Sequence, residues 1–451
     1  MTVLRQKNLL LVAVVLFVFV YSLIDFYELI GKSWVSGWDF MTYCEATNAY
    51  LAGKNPYLPG SYQFSAHLYN YAPATLPVTA AICKALFISD VRAVSAYFPA
   101  YWFLIALTLF WSARIAQAKE YSWLFYATSL TALAGVPWVL RTGNFAVFEF
   151  LFLNLSIAFL MRATSEKRRA WDPWAFAIFF GLFCSIKTVM ASFVVLFLLL
   201  DFAPWRRVQL MAVAFAIAIF PVAISLLLYP QLVPLQARIA LDDQLLCNPS
   251  LFCMTWQALQ HVGAVMNMAG YFQAISGNVR AALTQGAILQ TTIVAVAACG
   301  IIFGIYAFCV VGFLRRTGFR LRASAWSGDF AVRVFLLMML VGISAVPRLK
   351  EYSFASAATL IAFLLLSRRK LDALAFVTLE IAAIPLITNQ PRLDARSLFG
   401  EYSQLIWLFA AVAILATDFM YKSGVGMPQF LFDKTRQACS STTPSASSSL
   451  G

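Results

Sequence analysis

Apolar runs of membrane-spanning length recur along the whole chain, separated by polar turns. They predict helices over about 8–30, 94–113, 122–139, 145–162, 208–229, 287–314, 329–346, 353–367, 372–388 and 403–421. About 20 apolar residues at ~1.5 Å rise cross a bilayer core. The run 173–201 breaks this pattern, because Lys187 interrupts it. One helix of that length would be too long and would bury a charge. Two short helices, 173–186 and 188–201, turning at Lys187, remove both difficulties. Each arm is short for a full crossing, so the turn is re-entrant or sunk below the surface. The expected architecture is an all-α polytopic membrane protein with about 12 transmembrane helices.

Two polar segments are long, about 31–93 and 230–286. The first is rich in Gly and Pro, with short helices expected at 39–52 and 74–88. The second carries amphipathic stretches such as 251–265. Smaller loops fall at 140–144, 347–352 and 389–402. The run 8–30 has no small-residue cleavage site after it and reads as an uncleaved first helix. Residues 1–439 form a single membrane domain, and the Ser-rich segment 440–451 reads as a disordered tail. No direct or inverted repeat is visible.

Charge placement selects the topology. With both termini in the cytoplasm, 21 of the 33 Lys and Arg residues fall on the inner side. They include Arg162 with Lys167–Arg169, Arg206 with Arg207, the group Arg315, Arg316, Arg320 and Arg322, and Arg368–Lys370. This satisfies the positive-inside rule. Treating 173–201 as one crossing would turn the last two clusters outward. The two long segments then lie on the outer face of a bacterial inner membrane.

Composition agrees. The 451 residues are 61% hydrophobic and 12% charged, with mean hydropathy +0.77, which excludes a water-soluble domain. The net charge of +13 is mostly topology. Without a basic stretch interleaved with aromatics, nucleic acid is not an expected partner. Cys83, Cys184, Cys299 and Cys309 read as small core hydrophobes. Cys247 and Cys253 share one loop and fit either a disulfide or two free thiols. With only His67 and His261, no cofactor is expected and no divalent metal is indicated.

The stretch that carries chemistry is Gly37–Tyr57, directly after the first predicted helix. Asp39 opens a helical pattern with Tyr43 one turn on, Gly53 stops it, and Asn55-Pro56 turns the chain. A carboxylate at a helix start is favoured in its ionised form by the dipole. On spacing alone, Asp39 fits an N-cap equally well. Glu149 lies inside an apolar helix, where a carboxylate must be paired, protonated or functional. Asp242-Asp243 fits a metal or acceptor-binding pair, yet adjacent acids in a loop are usually only solvated. Trp34, Trp38, Tyr57, Tyr62, Tyr69 and Tyr71 fit sugar stacking or an interfacial aromatic belt.

Asp-x-x-x-Tyr-x-x-Ala followed by Gly-x-x-Pro-Tyr, just after the first membrane helix, resembles glycosyltransferase family 87, membrane enzymes of the GT-C type. Gly143-Asn144-Phe145 resembles the family's Gly-Gln-x-Asn segment, with Asn in place of Gln. Lys187 resembles the Lys of its Lys-Pro turn, with Thr188 in place of Pro. Asn248-Pro249-Ser250-Leu251 resembles its Asn-x-Ser-Leu segment, and Pro347–Tyr352 stands where members carry a Pro-containing outer loop. The resemblance spans about residues 8 to 420.

It implies a GT-C-like fold and an inverting transfer of a hexose such as mannose. The donor would be a polyprenyl-phosphate sugar and the acceptor a lipid or glycan. Asp39 takes the place of the general base. Tyr43, Tyr57, Asn144, Lys187, Asn248, His261, Arg348 and Lys350 stand as substrate-binding candidates, with Lys187 foremost for the phosphate. A transporter, flippase or polymerase of lipid-linked saccharides is the alternative. It would carry several charges at mid-membrane, and often internal symmetry.

Overall fold

The computed structural model describes residues 37–58, 61, 69–86, 97–117, 122–244, 328–344, 346, 349–367 and 403–422, with single positions 13, 16, 20, 254 and 300. All regular elements among them are helical. Apart from those single positions, the expected helices at 8–30, 287–314 and 372–388 lie outside the described residues, as do the stretch 251–265, the loop 389–402, Cys247, Cys253, Cys299, Cys309 and the tail 440–451.

Helices α1 (Trp38–Leu51) and α2 (Leu76–Ala85) precede the bundle. It comprises α3 (Tyr97–Ile115), α4 (Ser122–Thr131), α5 (Gly135–Thr142), α6 (Ala146–Ala163), α7 (Asp172–Ile186), α8 (Pro204–Leu228), α9 (Val233–Gln244), α10 (Gly328–Ser344), α11 (Phe354–Ser367) and α12 (Ser403–Lys422). Among the described residues, four helical stretches are long and apolar enough to cross a membrane: Tyr97–Ile115, Ser122–Thr142, Ala146–Ala163 and Pro204–Leu228. The other apolar helical stretches run 10–17 residues, Gln404–Leu415 of α12 among them.

Lys187 turns the chain as its sequence setting predicts. It ends α7, and residues Thr188–Leu199 return along that helix. Phe197, near the end of the return arm, stacks 4.5 Å from Phe176 near the start of α7. The return arm, however, is a 3-10 helix. Its 12 residues reach ~24 Å at ~2.0 Å rise, matching the ~22 Å of the 15-residue α7. The stretched helix lets fewer residues close the hairpin. Arg207 caps the arm, donating from Nε to Phe202 O at 2.7 Å and from Nη1 to Leu198 O at 3.0 Å, so orphan carbonyls meet a cation.

The span expected at 122–139 is broken in the middle. Leu133 and Ala134 both take left-handed backbone conformations (φ 57° and 52°) before α5 starts at Gly135. Pro137 has no N–H, so the carbonyl of Leu133, four residues back, loses its helical partner. Gln404 Nε2 supplies one at 2.6 Å, which an apolar setting requires. At Gly135, an added Cβ would lie 2.1 Å from Ala355 N. Only glycine lets α5 and α11 approach this closely. Lower down, Asn154 Nδ2 on α6 donates to Thr359 Oγ1 on α11 at 2.9 Å, a polar tie between apolar helices.

In the described part of the first long polar segment the two expected short helices form, with one correction. Gly53 (φ 73°) ends α1; its N–H donates to Tyr50 O at 3.0 Å, and that of Lys54 donates to Ala49 O at 2.9 Å, a Schellman closure. The correction concerns Cys83. Rather than serving as a small hydrophobe, it forms a disulfide with Cys44 across 39 residues, tying α2 to α1. Cys184 is free and buried, as its apolar run predicts.

Candidate functional site

The site begins with the way α5 ends. Gly143 takes φ 67° and caps the helix, and an added Cβ would lie 2.7 Å from Phe40 Cβ. The last carbonyls of α5 are taken by its neighbours: Gly37 N–H donates to Arg141 O at 2.9 Å, Tyr97 OH to Leu140 O at 2.8 Å, and Tyr101 OH to Gly143 O at 3.0 Å. These bonds dock the start of α1 and the side of α3 onto one loop. Phe40 stacks on Tyr97 with centroids 5.3 Å apart, and Tyr43 packs on Phe145 at 4.4 Å.

Docking brings Asp39 to Asn144. The N-cap of α1 is Gly37, so Asp39 stands in the first turn and is no N-cap. Asn144 uses its whole amide. Its Oδ1 accepts the Ala146 N–H at 2.9 Å and the Tyr71 hydroxyl at 3.4 Å. That fixes Nδ2 toward the other side, where it donates to Asp39 Oδ2 at 2.8 Å and to Tyr43 OH at 2.7 Å. Tyr43 and Tyr71 hydroxyls lie 3.3 Å apart. Burial, followed by the neighbouring Tyr71 and the charge of Asp39, pushes the Tyr43 phenol well above its ordinary value. Burial also raises Tyr71 well above that value. Both stay neutral hydrogen-bonding groups beside the Asp39 carboxylate.

Tyr57 lies beneath the cluster, buried, its hydroxyl donating to Tyr71 O at 2.7 Å. Its place is a prop for Tyr71. Tyr69 is equally buried, bonded to Thr75 and Thr79, and its pKa is pushed by burial to about 12. Both are part of the wall, and neither is placed as a stacking platform.

The hairpin tip adds Lys187, whose Nζ donates to Ser353 Oγ at 2.9 Å. Glu149, on the first turn of α6, lies in the electrostatic reach of Lys187. Arg141 places its guanidinium 4.6 Å from the Trp138 ring centroid and 6.0 Å from that of Trp38, in cation–π range. Lys350 precedes the 3-10 turn Glu351–Ser353. Burial pushes the Glu351 carboxyl up, opposed by its own backbone N–H and by the charges of Lys350 and Arg141. Asp39, Tyr43, Tyr71, Asn144, Lys187, Lys350 and Glu351 thus gather at one end of the bundle. Asn248, His261 and Arg348 lie outside the described residues.

Sequence reasoning singled out Asp39, Asn144 and Lys187 but missed Glu351 and Tyr352 as neighbours of the cluster. Their only signal is membership of the Pro347–Tyr352 loop. Arg141 stands within electrostatic range of Glu351. The chain matches no protein-family model, no curated protein and no solved structure.

Proposed function

We propose that this protein is a membrane glycosyltransferase of the GT-C type, as its resemblance to glycosyltransferase family 87 implies. It moves a hexose such as mannose from a polyprenyl-phosphate donor to a lipid or glycan acceptor, without a cofactor. The observation that carries this reading is the Asp39 carboxylate, held by the Asn144 amide beside neutral phenols at one end of a helical bundle.

Asp39 takes the acceptor hydroxyl's proton as that oxygen bonds to the anomeric carbon. The carbon–oxygen bond to the donor phosphate breaks, and its electron pair leaves with the polyprenyl phosphate. One base suffices for such an inverting displacement. Asn144 aims the carboxylate. Lys187, Arg141 and Lys350 stand as cations for the phosphate charge. The polyprenyl chain lies between apolar helices.

Two features support a site on the outer face. Arg114, Arg162, Arg206 and Arg207 terminate α3 and α6 or open α8 at the end opposite Asp39, as the positive-inside rule asks of a cytoplasmic side. The Cys44–Cys83 disulfide, beside Asp39 on α1, fits an oxidising compartment. About 12 crossings and cytoplasmic termini complete the topology.

The test is transfer of radiolabelled sugar from polyprenyl-phosphate mannose, glucose or arabinofuranose to membrane extract by purified protein. Asp39→Asn abolishes transfer while the protein still inserts and purifies as a monodisperse species. Transfer retained by that variant would remove Asp39 as the base.

A further inference from the structure

Glu149 plays no part in the base-and-amide cluster. It is 3% exposed, and its Oε2 has no hydrogen-bond partner. A buried carboxylate oxygen without a donor has given up water's hydrogen bonds and received nothing in return, a cost that asks for an explanation. Its surroundings are chemically specific. The charge of Lys187 acts on it, and its own charge acts on Tyr71 and Cys184. Lys187 is held in place by Ser353 Oγ at 2.9 Å. Tyr71, which also feels Asp39, reaches Asn144 Oδ1 at 3.4 Å, and Asn144 bonds Asp39 Oδ2 at 2.8 Å. Glu149 and Asp39 thus both act electrostatically on Tyr71, whose hydroxyl bonds the Asn144 amide that holds the proposed base.

An ammonium beside a carboxylate offers a donor and an acceptor with little net charge. Such a pair matches a neutral polyol, whose hydroxyls both donate and accept. It suits a phosphate poorly, because the anion's oxygens would face Glu149. We propose that Glu149 and Lys187 form a subsite for hydroxyl groups of the transferred sugar, a refinement that rests on the glycosyltransferase reading. A sugar hydroxyl donates to Glu149 Oε2, and the same or a neighbouring hydroxyl accepts from Lys187. This divides the cations of the site. Lys187, grouped above with the phosphate cations, is reassigned to the sugar, and the donor phosphate falls to the side of Arg141 and Lys350.

The experiment measures binding of undecaprenyl phosphate and of its mannosyl, glucosyl and arabinofuranosyl forms to the full-length protein in nanodiscs. For the sugar that binds, Glu149→Gln weakens the glycosylated lipid by about tenfold, the loss expected when a hydrogen bond to a charged acceptor becomes a neutral one. Binding of sugar-free undecaprenyl phosphate stays at the wild-type value. Monodeoxy sugars, one hydroxyl removed at a time, give the same answer: on wild-type protein one deletion costs about as much, and in Glu149→Gln that deletion costs nothing further. Equal weakening of both lipids by Glu149→Gln, or no deoxy analogue that binds less well, overturns the subsite. Unchanged binding of both lipids also overturns it while leaving the glycosyltransferase reading intact. Wild-type protein that binds none of the lipids overturns that reading and the subsite with it.

Discussion

Two aspartates open helices at opposite ends of the bundle, and their surroundings differ in kind. Asp172, in the first turn of α7, is fully buried and ion-paired with Arg162. Arg162 Nε lies 3.0 Å from each carboxylate oxygen, and the Arg169 N–H adds a bond of 2.7 Å to Oδ2. The guanidinium is itself stacked on Phe159 and Trp171. Asp39, in the first turn of α1, is half-buried and is met by the amide of Asn144 beside Tyr43. The sequence setting of the two is similar, an acid at a helix start. The difference teaches that a cation in bidentate contact makes an acid a structural fastener. At Asp39 the Asn144 amide aims the carboxylate through a hydrogen bond to Oδ2.

The sharpest way to break this comparison is to remove both acids in turn. Asp39→Asn lowers transfer by about 10²–10⁴-fold, the range of a lost general base, with unfolding little changed. Asp172→Ala does the reverse. It leaves Arg162 without its counter-ion and lowers stability by roughly 3 kcal/mol, as breaking a largely buried pair does. Detergent-solubilised thermal unfolding reads this, and activity per folded molecule is kept. If the two variants behaved alike, the distinction would be lost.

The disulfide tests what holds the Asp39 end together. Cys44→Ala with Cys83→Ala lowers stability by about 2–4 kcal/mol, the usual worth of a bridge across such a loop, and thermal unfolding should show the same loss under reductant. Asn144→Ala sharpens the aiming role. It lowers kcat by roughly tenfold to a hundredfold by releasing both Asp39 and Tyr43, while the fold survives.

The smallest effect concerns Glu351. Burial raises its folded-state pKa, so the folded state prefers the protonated acid. Stability from this group is present below the unfolded pKa and lost as pH rises through the folded one. Glu351→Gln therefore unfolds at a slightly higher temperature than wild type at pH 8, and the gap closes by pH 4. A gap that widened on acidification would reverse the sign and refute the assignment.

Much of this was legible along the chain. The hairpin at Lys187 followed from a charge inside an over-long apolar run, because a membrane forbids that arrangement. The end of α1 at Gly53 followed from turn chemistry. Asp39 and Asn144 stood out through the motif resemblance. The 3-10 form of the return arm did not, because propensity does not distinguish it from an α-helix; matching α7 in length decided it. The break at Leu133 was invisible because Pro137 could have sat in a kinked helix, and only Gln404, far along the chain, makes the open carbonyl acceptable. Cys44 and Cys83 gave no local spacing to read.

By itself, the sequence determined helices apolar enough to cross a membrane, the basic clusters between them, and a polar segment with an acid at a helix start. These are local properties, set by hydropathy, turn residues and the obligation to satisfy backbone groups. The tertiary structure alone decided which side chains meet. Gly143's left-handed cap, the carbonyls of α5 and the aromatic packing of Phe40 bring α1 to Asn144. The hairpin carries Lys187 to Ser353 and into reach of Glu149. Such contacts join residues far apart in sequence, and no periodicity or composition can encode a distance between them.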